Sequence, residues 1–235
     1  MAKPGRDPRT VQMKTPDTVF LFDVDNTLLD NDRIQADLSA HLARYYGKSV
    51  CERFWEIFEE LRVELGYADY LGALERYRLE AIHEPRLLRM ANWLVDYPFQ
   101  DRLYPNAIPV VRQAQRAGTV AILSDGDAVF QPRKVARSGL WTVFGDNVLI
   151  YIHKELELAD VERHFPARSY VVIDDKLRIL DAIKRSWGDR VTTVFPRQGH
   201  YATDPKQLAA YPPADISIDR IGDLLEHDLA ALARR

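Results

Sequence analysis

The chain has 235 residues, of which 32 are basic and 35 acidic, giving a net charge of −3, and its apolar share is 46%. That near-neutral balance excludes a general attraction to nucleic acid or to an anionic membrane, so any polyanion site must be local. A single cysteine, Cys51, excludes an internal disulfide framework and a cysteine-based zinc site, and it fits a reducing, cytoplasmic compartment.

Residues 1–16 are basic, contain proline and lack the apolar segment of a signal peptide, so they are expected to form a disordered tail. Nowhere does an apolar run approach the roughly 20 residues that cross a bilayer. The first ordered element is the β-favouring run Val19-Phe20-Leu21-Phe22, which reads as a buried strand. It leads straight into Asp23-Val24-Asp25-Asn26-Thr27. Two carboxylates a few Å apart repel by about 4 kcal/mol at an effective dielectric of about 20. Keeping them at a core edge requires a cation, a shared proton, or both. This is the chemistry of a metal-assisted site with a carboxylate nucleophile and an acid/base neighbour. The bland alternative is a strand-end turn in which Thr27 caps a helix.

Residues 17 to 84 contain no proline, and helical spacing recurs at Ile34, Leu38, Leu42, Tyr45 and at Phe54, Phe58, Leu61, Leu65. Half of the 24 aromatics fall between Tyr45 and Tyr104. The block predicts a small helical domain with its own apolar seam. From Pro105 the pattern alternates. Helices are predicted over Pro105–Ala117, Val129–Ser138, about Glu155–His164, Leu177–Trp187 and from about Ile221. Strands are predicted over Thr119–Leu123, Val148–Ile152, Tyr170–Ile173, Val191–Phe195 and Ile216–Ile218. Such alternation implies right-handed crossovers and a mostly parallel sheet.

Four polar clusters each follow a predicted strand: Asp23/Asp25, Ser124-Asp125-Gly126-Asp127, His153-Lys154 and Asp174-Asp175-Lys176. In a parallel sheet the carboxyl ends of the strands share one edge, so the four should meet in one crevice.

Taken in order, these clusters resemble the motifs of the haloacid dehalogenase-like (HAD) hydrolase superfamily. The Asp-x-Asp-x-Thr run matches Asp23 to Thr27, the strand-ending Ser matches Ser124, the Lys matches Lys154, and the late acidic pair matches Asp174-Asp175. The resemblance implies an α/β fold: a Rossmann-like parallel sheet core flanked by helices (17–31 and 104–235), with an inserted helical C1-type cap (32–103). It also implies a Mg²⁺-dependent phosphomonoester hydrolase working through an aspartyl-phosphate. Asp23 would be the nucleophile and Asp25 the acid/base. Mg²⁺ would be held by Asp23, the Asp25 backbone carbonyl and Asp175, with Asp174 direct or through water. Ser124 and Lys154 would hold the phosphoryl group, with Asp125 and Gly126 beside it. The expected partner is a small phosphorylated substrate, not nucleic acid or membrane, for a monomer or homodimer.

Some assignments compete. Lys134 is a rival to Lys154, which is favoured because it follows a strand. Asp127 is expected to cap the next helix, and His153 and His200 to serve surface or supporting roles. The loop Pro196–Tyr201 is either a turn or a substrate contact. Arg62, Tyr67, Asp69, Tyr70, Arg76 and Arg78 are the specificity candidates of the helical block. Asp174-Asp175 departs from the family's usual Gly-Asp, and Lys176 has no assigned purpose. Rival functions are a phosphate-transferring mutase, a dehalogenase or phosphonatase of the same superfamily, and a receiver-like phospho-acceptor domain.

Overall fold

The computed structural model describes residues 17–232, so the tail expected at 1–16 lies outside the described residues. Six strands form one sheet: β1 (Thr18–Phe22), β2 (Thr119–Asp125), β3 (Val148–Tyr151), β4 (Ser169–Ile173), β5 (Val191–Pro196) and β6 (Ile216–Ile218). Every pairing is parallel and the order is β3-β2-β1-β4-β5-β6. This is a Rossmann-like α/β architecture. The chain leaves β1 toward β2 on one side and returns beside it as β4 on the other. The crevice beyond the carboxyl ends of β1, β2 and β4 is therefore the topological switch point.

Period-two alternation sorts the strand residues to the two faces. Phe20 and Phe22 belong to one buried cluster, Val19 and Leu21 to the other. After β1 the chain forms α1 (Asn31–Tyr45), α2 (Lys48–Leu65), α3 (Tyr70–Glu80) and α4 (Leu87–Asp96), and α5 (Ala107–Ala117) follows these before β2. The Phe20/Phe22 face is covered by α5, α6 (Phe130–Arg137) and α7 (Leu140–Phe144). The opposite face takes α8 (Leu158–His164), α9 (Leu177–Trp187) and α10 (Gly199–Thr203), followed in sequence by α11 (Pro205–Ala210). The last helix is α12 (Leu229–Leu232), which packs on the first face.

Three expectations are corrected. The seam of α1–α4 is not separate: Phe54, Phe58 and Tyr70 share one continuous cluster with Phe20, Phe22 and Phe130. Aromatic contacts carry it across, Tyr70 to Phe130 at 5.2 Å and Phe130 to Phe99 at 5.8 Å. Tyr45, assigned to the seam by spacing, is exposed. The predicted C-terminal helix is broken into a 3₁₀ turn (Ile221–Glu226) and α12, because the Asp228 carboxylate accepts from the Ala231 amide and starts a new turn. A 3₁₀ turn at Lys154–Leu156 likewise separates β3 from α8.

Candidate active site

The peptide group of Asp23 extends β1, its amide donating to the Ile173 carbonyl at 2.9 Å. The chain then reverses: the amides of Thr27, Leu28 and Leu29 all converge on the Val24 carbonyl. Asn26 takes the left-handed conformation at φ 58°, which Asn tolerates better than most side chains. Its Oδ1 accepts from the amides of Asn31 and Asp32, and its Nδ2 donates to Asp32. Thr27 is not the cap: Asp30 caps α1 by accepting from the Arg33 amide, and the buried Thr27 hydroxyl has no partner among the described residues.

The loop after β5 braces this turn. Gln198 Nε2 donates to the carbonyls of Asn26 and Thr27, and His200 Nδ1 lies 2.6 Å from Asp32 Oδ1. Gly199, at φ 71°, packs so closely that a Cβ there would sit 2.5 Å from the Asn26 side chain. Gly199 therefore answers to a close approach as well as to a turn. Tyr201 is the member of this loop that reaches the cleft.

Asp23, Asp174 and Asp175 are all buried, and each offers an oxygen within 4.8 Å of the others. Lys154 closes one side of the cluster. It is buried, 2.5 Å from Asp23 Oδ1 and 2.6 Å from Asp174 Oδ2, and it also donates to the Leu123 carbonyl. Ser124 Oγ lies 3.4 Å from Asp23 Oδ1. On the other side Asp23 Oδ2 and both oxygens of Asp175 are buried without any hydrogen-bond partner among the described residues. Buried polar atoms are ordinarily satisfied, so three orphaned anionic oxygens in one place call for a cation. Hard oxygen donors of this kind suit Mg²⁺ or a similar divalent ion. The residues present fit a metal.

Burial, together with the charge of Asp23, pushes Asp174 up to about 6 against the pull of Lys154. Asp175 is held well above the usual carboxylate range, chiefly by burial and then by its acidic neighbours. For Lys154 burial acts downward, but Asp174, Asp23 and Asp125 overcome it and keep the ammonium charged. Without metal, then, the fold holds protons that an unfolded chain has lost. The contribution of Asp174 to stability is present below its ordinary 3.8 and fades as pH rises through about 6. A metal reverses this by selecting the ionised carboxylates. We expect Mg²⁺ uptake near pH 6 to release protons and to tighten as pH rises from 5 to 7. Calorimetric titration in buffers of differing ionisation enthalpy measures both; uptake without proton release would contradict it.

Asp25 stands apart from the acidic cluster. Its side chain is a quarter exposed, lines the cleft, and pairs with the buried Lys134, whose Nζ lies 2.7 and 3.0 Å from its two oxygens and 3.1 Å from Asn31 Oδ1. Gln131 Nε2 donates to Ser124 Oγ at 2.9 Å and approaches Asp25 at 3.4 Å. Lys154 and Lys134 are thus not alternatives: each serves one carboxylate of the Asp-x-Asp pair. The signal for the second was present, because Gln131 and Lys134 are i, i+3 and share a face of α6. Their tertiary target was not visible in sequence.

The remaining candidates divide. Asp125, raised by burial, accepts from the Lys154 amide, so it shapes the lysine's turn. Gly126 lines the cleft, but its amide is already given to the Tyr151 carbonyl and is not free for a phosphoryl oxygen. Asp127 is not the N-cap residue of α6, which is Val129, but its Oδ1 accepts from the amides of Val129 and Phe130 where that helix begins. Among the α1–α4 candidates, Arg62, Tyr67 and Tyr70 line the cleft. The others do not: Asp69 caps α3, Arg76 pairs with Glu64, and Arg78 with Glu75. The cleft has a volume of about 450 Å³. No described helix is long and apolar enough to cross a membrane.

The family model of haloacid dehalogenase-like hydrolases matches residues 18–185. A haloacid dehalogenase-like hydrolase from Burkholderia xenovorans LB400 is 61% identical over 90% of this chain and 96% of its own, with a TM-score of 0.86. L-2-haloacid dehalogenase from Xanthobacter autotrophicus shares the fold at 20% identity, over 90% of this chain and 99% of its own, TM-score 0.58. The HAD-hydrolase YfnB from Bacillus subtilis, bound to magnesium, does so at 16% identity, over 91% of this chain and 98% of its own, TM-score 0.59. A comparison with curated proteins finds no match.

Proposed function

Because the chain belongs to the haloacid dehalogenase-like hydrolase family, we propose that it is a metal-dependent phosphomonoesterase acting on a small phosphorylated substrate. The observation that carries this reading is the set of orphaned oxygens on Asp23 and Asp175 beside the Lys154-paired Asp174. Asp23, Asp174 and Asp175, with the backbone carbonyl of Asp25, would hold Mg²⁺. Bound there, the ion would neutralise the nucleophile and the incoming phosphoryl dianion enough for them to meet.

Asp23 attacks phosphorus and becomes an aspartyl-phosphate, the ester oxygen leaving in line. Lys154 and Ser124 hold charge where it accumulates on the transferring group, and Gln131 orients the Ser124 hydroxyl. Asp25 lies at the cleft wall, able to protonate the departing alcohol and later to accept a proton from water. Lys134 and Asn31 fix its position. The helices α1–α4 act as the cap, with Arg62, Tyr67 and Tyr70 toward the substrate. A second carboxylate at Asp25 argues for an ester over a halide, since a leaving halide needs no proton.

Purified protein with Mg²⁺ is expected to release phosphate from p-nitrophenyl phosphate or from members of a metabolite-phosphate panel, and EDTA to stop it. Chloride release from 2-chloropropionate, with no phosphate released from any ester, would replace this reading by dehalogenation.

A further inference from the structure

The cleft is lined by far more positive than negative charge. Arg62, Lys134, Lys176 and Arg178 face it, against Asp25 and Asp125. Three of the four cations are held by a carboxylate: Arg62 by Glu59, Lys134 by Asp25 and Arg178 by Glu155. Lys176 is different. Its Nζ has no ion pair and no hydrogen bond among the described residues, and it lies over the Tyr201 ring at 5.2 Å. The charges that act on it most strongly are those of Asp175, Asp23 and Asp174. Those three negative charges are the ones that a dication and Lys154 would cancel. With them cancelled, the Lys176 charge is left facing the cleft.

Position supports a role on the leaving-group side. Lys176 also borders an adjoining recess of about 360 Å³, together with Arg62, Tyr201 and Gln207, whereas neither Ser124 nor Lys154 lines either space. Both volumes suit a small metabolite rather than a macromolecule. Tyr201 lines both spaces together with Arg62 and Lys176, its ring under the Lys176 ammonium.

We propose that the substrate's alcohol portion carries a second anionic group, a carboxylate or a phosphate, and that Lys176 with Arg62 receives it. This inference rests on the phosphomonoesterase reading and names its substrate class. Charge-assisted contacts discriminate strongly against a neutral analogue, because the site's cation is otherwise left without its partner.

The test compares three esters of one chain length in the presence of Mg²⁺: 3-hydroxypropyl phosphate, 3-phosphooxypropanoate and propane-1,3-diyl bisphosphate. The wild-type protein should prefer one of the two anionic esters by about tenfold or more in kcat/KM, as expected for a charge-assisted contact. Whichever is preferred identifies the second group. In Lys176→Met, which keeps an apolar stem against Tyr201, the ratio of anionic to neutral ester should fall toward one. In Arg62→Gln the preference should shrink mainly through KM. Equal kcat/KM for all three esters in the wild-type protein overturns the proposal and leaves the phosphatase reading standing. So does a Lys176→Met variant that loses activity toward all three in equal proportion, since Lys176 would then serve the transferring phosphoryl group. Absence of phosphate release from any ester, including p-nitrophenyl phosphate, overturns both.

Discussion

Asp23→Asn is expected to abolish phosphate release, by at least about 10³-fold, because the amide cannot form the acyl phosphate. The same change should not weaken the fold. Asp23 shares its buried surroundings with Asp174 and Asp175, and among the described residues one buried ammonium, Lys154, is in contact with them. Removing a negative charge from this cluster relieves repulsion, while Lys154 keeps Asp174 at 2.6 Å. In the absence of metal the melting temperature should hold or rise by a few degrees, corresponding to about 1 kcal/mol. Magnesium should then stabilise the variant less than it stabilises the wild-type protein. Phosphate release assays and thermal melts with and without Mg²⁺ check both halves. Normal turnover in the variant would remove Asp23 as nucleophile, and a large loss of stability would remove the account of the cluster as mutually repelling.

Lys154→Met should move stability the other way. The ammonium is buried and touches Asp23, Asp174 and the Leu123 carbonyl, so its loss strands two carboxylates in a low-dielectric interior. Breaking a buried pair from one side typically costs about 3–5 kcal/mol. For a chain of this size that is a melting temperature lower by about 6–20 °C. Acid should narrow the gap, because Asp174, at about 6 in the intact protein, becomes neutral and no longer needs its partner. Mg²⁺ should also narrow it by supplying the missing positive charge. Melts of wild type and variant at pH 5 and pH 7.5 test the sign. A difference that is larger at pH 5 would contradict it. Activity should be lost at either pH, since on the proposed mechanism Lys154 neutralises charge on Asp23.

Much of this was legible in one dimension, and for identifiable reasons. The strands ending at Phe22, Asp125, Tyr151 and Ile173 are built on short apolar runs that give way to polar residues, and a parallel sheet carries their ends to one edge. That geometry needs no side-chain detail, so the meeting of Asp23, Ser124, Lys154 and the Asp174-Asp175 pair could be foreseen. The partner of Asp25 could not. Lys134 looks like an ordinary helical lysine, and its aim is set by how α6 packs on Tyr70 and Phe99. The hold of Gln198 and Gly199 on Asn26 spans more than 170 residues of sequence and has no local signature.

Local chemistry decided what this chain could do: an Asp-x-Asp run at a strand end, with a late acidic pair, gathers carboxylates where a cation could be held. Periodicity and turn residues also determined the parallel layered architecture, since both are read from neighbours within a few positions. Packing alone decided the rest. It merged the α1–α4 seam with the sheet's own core, gave the two lysines separate carboxylates, and took the Gly126 amide out of the cleft. It also left Lys176 at the cleft wall with no ion pair among the described residues. Such outcomes depend on contacts between distant segments, and whether a charge is paired is a property of the folded space around it.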